Sequence, residues 1–179
     1  MNKKILIPPN FYQLLSTKHL LLDTSFFIDY SIHSAVFINF VTELRANKLT
    51  FVTNVPVVTE FTKGSENTEK FAKKTAIVNS IVDYVLSISP SVFTNELSWL
   101  SQTYGKPGAT CSVTDMILAA QTKIHANDLC LVTKNPSDFP ASVFTLKTYF
   151  ILQLERALQV YGVFCYSDSL LPKPVLTLI

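Results

Sequence analysis

The chain has 179 residues, of which 48% are apolar and 16% charged, with a formal net charge of +2. That size and composition support a sizeable core and exclude global disorder, and the near-neutral charge excludes a general pull toward nucleic acid, so any such binding needs a local basic patch. The three cysteines, Cys111, Cys130 and Cys165, are widely spaced and contain no C-x-x-C pair. This disfavours a zinc site and a disulfide framework, and points to buried reduced thiols in a cytosolic protein.

Met1 to Asn10 holds two lysines and only the short apolar stretch Ile5–Ile7 before Pro8 and Pro9. That is too short for a signal peptide, and no apolar run approaches a bilayer span, so a soluble, cytoplasmic protein without a membrane partner is expected. Leu20–Leu22 predicts a strand, followed by the capping residues Asp23, Thr24 and Ser25. After His33 and Ser34, the apolar positions Val36, Phe37, Phe40, Val41 and Leu44 recur with helical spacing over Ala35–Ala46, and Asn47 suits a stop. Leu49–Val52 predicts a second strand. Thr53 and Asn54 then offer a cap, and Pro56 fits the first turn of a helix that carries Glu60 about one turn in. Lys63, Gly64 and Ser65 break it.

Glu66–Leu86 reads as a longer helix with Phe71, Ile77, Val78, Ile81, Val82 and Val85 on its apolar side, and Phe93–Tyr104 as another beyond Pro90. Gly105–Gly108 is a loop. Ser112–Ala126 predicts a strong helix with Met116, Ile117, Ala119 and Ala120 apolar. Leu129–Val132, Val143–Leu146 and Val163–Tyr166 predict three further strands, with a last helix over Ile151–Val160. Short apolar strands alternating with helices predict a single α/β domain with a mainly parallel sheet covered on both faces. Its core runs over about residues 18–167, and the tail 168–179 is apolar and interrupted by Pro172 and Pro174. That tail packs either on the domain or on a partner.

Four acids stand at the punctuation points: Asp23 and Asp138 just beyond strands, Glu60 and Asp115 in early helical turns. In open α/β sheets these positions share the carboxyl edge of the strands, where ligands bind. Clustered carboxylates repel one another, and a divalent cation held by their oxygens resolves that repulsion. Each acid also has an ordinary structural role. Asp115 can close a capping box with Ser112, Asp138 can belong to the turn Asn135-Pro136-Ser137-Asp138, Asp23 can end a strand or cap a helix, and Glu60 can be a solvated helix residue.

The segments Leu21–Phe27, Pro56–Glu60, Thr114–Ala120 and Leu131–Phe139 together resemble PIN-domain nucleases, most closely the VapC-type toxin ribonucleases. The resemblance implies a three-layer α/β/α fold and a metal-dependent endoribonuclease with Mg²⁺ or Mn²⁺ as cofactor. Asp23, Glu60 and Asp115 match the family's main acids, and Asp138 matches a more variable fourth position. Thr133 and Asn135 match polar residues near the site, and Ser25 a hydroxyl position close to the metal. Implied partners are single-stranded or looped RNA, a cognate antitoxin and a second copy of the chain. Asp29 and Glu66 have no counterpart and are expected on the surface.

With such an ion activating water and neutralising the departing oxygen, no histidine base is needed, and His19, His33 and His125 have no catalytic spacing. Lys63, Lys73, Lys74, Lys106 and Lys134 are candidate phosphate contacts or members of solvated faces. An inactive PIN-like scaffold that binds RNA or protein is the competing reading. A phosphatase with Asp23 as nucleophile fits poorly, because haloacid-dehalogenase-like enzymes place a second acid where this chain has Ser25.

Overall fold

Four adjacent strands form the parallel half of the sheet. The structure, a computed structural model, describes residues 3–90, 95–104, 111–139 and 141–167. In chain order it contains β1 (Lys4–Leu6), α1 (Phe11–Leu14), β2 (His19–Leu22), α2 (Thr24–Ile32), α3 (Ser34–Ala46) and β3 (Thr50–Asn54). There follow α4 (Val55–Thr62), α5 (Thr68–Ile81), β4 (Tyr84–Leu86), α6 (Leu97–Tyr104), α7 (Val113–Ile124), β5 (Leu129–Thr133), a 3₁₀ turn (Pro136–Asp138), β6 (Phe144–Gln153) and β7 (Leu158–Tyr166). The loop Gly105–Gly108, the start of the helix expected from Phe93, and the tail 168–179 lie outside the described residues.

The sheet has seven strands in the order β1-β6-β7-β5-β2-β3-β4. The pairs β5/β2, β2/β3 and β3/β4 are parallel, whereas β5/β7, β7/β6 and β6/β1 are antiparallel. The α/β class is as expected, but the sheet is mixed. Every residue of β5 is buried, as in a strand covered on both faces. On one side the core is aromatic: Phe26 and Phe37 pack edge-on at 5.1 Å, and Phe150 of β6 stacks on Tyr161 of β7 with centroids 4.7 Å apart. Each such ring removes apolar surface from water worth about 1.5–3 kcal/mol.

Two expected helices are corrected. Ile151–Val160 is the tip of the β6–β7 hairpin, with Ile151 opposite Val160 and Leu154 N–H bonded to Ala157 O at 2.9 Å. Cross-strand pairing overrides the helix-forming Leu, Gln, Glu and Arg residues there. The helix expected over Glu66–Leu86 stops at Ile81, because Asp83 leaves it to pair with β3: its N–H donates to Phe51 O and its carboxylate accepts Phe51 N–H, each at 2.8 Å.

The cysteine expectation is also corrected. With Leu131 opposite Phe164, Cys130 and Cys165 face each other across β5 and β7, their Cα atoms 4.7 Å apart, and they form a disulfide. That bond leaves the thiol-based expectation of a cytosolic setting without its premise. Cys111 is free. No helix among the described residues is long and apolar enough to cross a membrane.

Candidate metal centre

Asp23 follows β2 directly and is the N-cap of α2, so the strand end and the helix start fix its side chain together. Its Oδ1 accepts the Thr24 N–H at 2.6 Å, and its Oδ2 accepts the hydroxyls of Ser25 at 2.9 Å and Thr133 at 2.8 Å. It is 5% exposed, and it takes part in none of the ion pairs among the described residues. Burial pushes its carboxyl above the usual range, with the charge of Asp115 adding to the rise and the three hydrogen bonds opposing it. A buried carboxylate supported only by neutral donors is a costly group that a cation relieves.

Glu60 reaches the same place through the first turn of α2. Asn54 caps α4 by accepting Val57 N–H at 2.9 Å, Pro56 occupies the first turn, and the exposed Glu60 accepts the Thr24 hydroxyl at 2.8 Å. Thr24 thus touches Asp23 with its amide and Glu60 with its hydroxyl. Nothing in its sequence position marks that bridging role beyond its place in a capping run.

Asp115 plays the capping-box role its spacing suggests. Its Oδ2 accepts the Ser112 N–H at 3.0 Å and the Ser112 hydroxyl at 2.6 Å, while Ser112 Oγ accepts the Asp115 N–H at 3.1 Å. Those bonds occupy one carboxylate oxygen. The charge of Asp115 still reaches its neighbours: it contributes to the raised values of Asp23 and Asp138, and with burial and Asp138 it helps push the Cys111 thiol up to about 12. Asp138 ends the 3₁₀ turn and is half-buried; burial is the main cause of its rise, Asp115 the second, and the Ser137 hydrogen bond opposes both.

Of the supporting residues, Ser25 and Thr133 touch Asp23 directly. Asn135 is exposed and joins through its backbone, donating its N–H to Thr133 Oγ1 at 3.0 Å. The expected acids therefore share one edge, linked by Thr24, Thr133 and mutual electrostatics. Among the described residues, no three His, Cys, Asp or Glu side chains close into a group that could hold a metal ion. The donors are all oxygen, the chemistry Mg²⁺ and Mn²⁺ require, but holding an ion needs Glu60, Asp115 and Asp138 to turn toward Asp23.

The lysines divide. Lys134 pairs with Asp29, Lys73 with Glu69, and Lys74 donates to Phe61 O at 2.7 Å while lying over the Phe61 ring. Lys63 is exposed beside Glu60 in an open cleft shared with Val55, Pro56 and Thr114; Lys106 lies outside the described residues. His19 meets the Thr50 hydroxyl, and His33 and His125 end α2 and α7, away from the acids' hydrogen bonds. Glu66 is exposed and paired with Lys70, as expected, whereas Asp29 is buried at 3% exposure and not on the surface. Comparisons with protein-family models, curated proteins and solved structures gave no match.

Proposed function

We propose that the chain is a Mg²⁺- or Mn²⁺-dependent endoribonuclease with a PIN-like three-layer arrangement. The single observation that carries the reading is the buried Asp23 carboxylate at the strand edge. It has three neutral donors and, among the described residues, no cationic partner, and Asp115 is near enough to raise it further. Asp23, Glu60, Asp115 and Asp138 would hold the ion, which when bound supplies charge neutralisation at a phosphodiester and an activated water. Thr133, Ser25 and Thr24 orient the acids. Lys63, at the mouth of the cleft beside Glu60, is placed to take a substrate phosphate from an accessible RNA strand.

The four-strand parallel run β5-β2-β3-β4 supports the fold reading, since it sets the acids at the carboxyl ends of neighbouring strands. A toxin held by an antitoxin, acting as a homodimer in the cytoplasm, is the biological setting that goes with the motif resemblance. The test is hydrolysis of single-stranded RNA with and without Mn²⁺, wild type against Glu60→Gln: metal-dependent cleavage that the variant loses supports the reading, and equal cleavage by both removes the site. An inactive binding scaffold is favoured by one observation, the absence of a closed metal-holding group among the described residues. RNA binding without Mn²⁺ binding in calorimetry would select it.

A further inference from the structure

The two hydroxyls that donate to Asp23 Oδ2 come from different elements, and each is held by a further contact. Thr133 Oγ1 accepts the Asn135 N–H at 3.0 Å, which leaves its own proton for the carboxylate oxygen 2.8 Å away. Ser25 Oγ lies 2.9 Å from the same oxygen, and the Ser25 backbone oxygen lies 3.0 Å from the Tyr161 hydroxyl.

The two sides meet on Asp29, which follows Ser25 by one turn of α2 and is buried. Thr133 pairs with Gly162 across β5 and β7, so Lys134 leaves β5 level with Tyr161. Both side chains end on Asp29: the Lys134 ammonium lies 3.1 and 3.0 Å from its two oxygens, and the Tyr161 hydroxyl 2.6 Å from Oδ2. The Tyr161 ring is fully buried, stacked on Phe150 and edge-on to Phe26 at 6.1 Å, so its hydroxyl has a fixed place. Burial first, then the bond and charge of Asp29 and the charge of Asp23, push that hydroxyl well above the ordinary tyrosine range. It stays protonated and is a donor, with its one proton shared between Asp29 Oδ2 and Ser25 O.

We propose that Asp29 and Tyr161 are positioning residues that, with Lys134, tie the Ser25 turn of α2 to the exit of β5 and so hold both hydroxyl donors on Asp23 Oδ2. Two hydroxyls fill the lone pairs of Oδ2, whereas among the described residues Oδ1 accepts only the Thr24 N–H. Oδ1 is therefore the oxygen with room for a cation. The cation rests on the function proposed above; the tie between Ser25 and Thr133 does not.

Crystal structures and Mn²⁺ calorimetry of wild type, Tyr161→Phe, Asp29→Asn, Lys134→Met and Lys134→Arg test this. In Tyr161→Phe, Asp29→Asn and Lys134→Met, at least one hydroxyl contact to Asp23 Oδ2 is expected to open beyond about 3.5 Å, with Mn²⁺ affinity about tenfold weaker. Lys134→Arg keeps a cation for Asp29 and is expected to keep both contacts and the wild-type affinity. Both contacts intact in Tyr161→Phe and Asp29→Asn, wild-type affinity in both, or Lys134→Arg as weak as Lys134→Met overturns the proposal. A merely structural cluster would lower the melting temperature and leave the contacts and the affinity of the folded protein where they are. Should Asp29→Asn not fold, Tyr161→Phe, which keeps the buried ring, decides alone. If wild type binds no Mn²⁺, the nuclease reading fails, and the contact distances in the variant crystals still decide the positioning claim.

Discussion

Replacing Asp115 by asparagine separates the two jobs that this side chain performs. One carboxylate oxygen accepts both Ser112 donors, at 3.0 and 2.6 Å, and an asparagine oxygen can accept the same bonds. What the helix loses is a negative charge at its N-terminus, worth about 0.3–1 kcal/mol. Relief of the repulsion that raises Asp23 and Asp138 offsets that loss. The net stability change should lie within about 1 kcal/mol, or about 2–4 °C in Tm for a chain of this length. Cleavage should respond far more strongly, since a charged ligand supports several kcal/mol of charge stabilisation; a loss of about 2.7 kcal/mol alone is about 100-fold in rate. The assay is a fluorophore-quencher single-stranded RNA with Mn²⁺, read beside calorimetric melts of the same samples. Undiminished cleavage at unchanged Tm would refute the placement of Asp115 in the site. Lost cleavage with a Tm drop beyond about 10 °C would leave capping as its main role.

Asn54→Ala should cost about 2–4 kcal/mol in urea unfolding. It removes the cap on Val57 and strands Gln121, whose buried Oε1 accepts from Asn54 at 2.8 Å; a cost under about 1 kcal/mol would contradict this network. Reducing the Cys130–Cys165 bond, which closes a separation of 35 residues, should lower stability by about 3–4 kcal/mol, and coincident urea transitions with and without dithiothreitol would contradict it. In metal-free protein, the raised Asp23 carboxyl makes the folded state bind more protons than the unfolded chain between the ordinary carboxylate range and its raised value. Stability therefore gains a contribution as pH falls through that window, and Asp23→Asn should lack it in pH-dependent denaturation; identical pH profiles would count against the buried, unpaired carboxylate.

What was legible in the sequence was local. Asn54 and Pro56 signal α4, and Ser112 with Asp115 signals α7, because caps depend on residues within one turn of each other. The hairpin at Ile151–Val160 was not legible, since its residues favour helix and only pairing between β6 and β7 decides otherwise. Asp29 looks like any helix-surface acid until β7 brings Tyr161 to it, 132 positions later in the chain. The Cys130–Cys165 pair likewise depends on β7 returning antiparallel beside β5. The edge positions expected for Asp23 and Asp138 came from strand ends and those of Glu60 and Asp115 from helix starts; the hydrogen bonds to Thr24, Thr133 and Ser112 depend on contacts between elements or on side-chain rotamers.

The central claim is that the edge carboxylates hold a divalent cation that cuts RNA. Titrating the chain with Mn²⁺ by calorimetry, wild type against Asp23→Asn, tests it most directly. Saturable binding by wild type that is lost in a folded Asp23→Asn is the predicted result, and equal binding by both, or none by wild type, would contradict it.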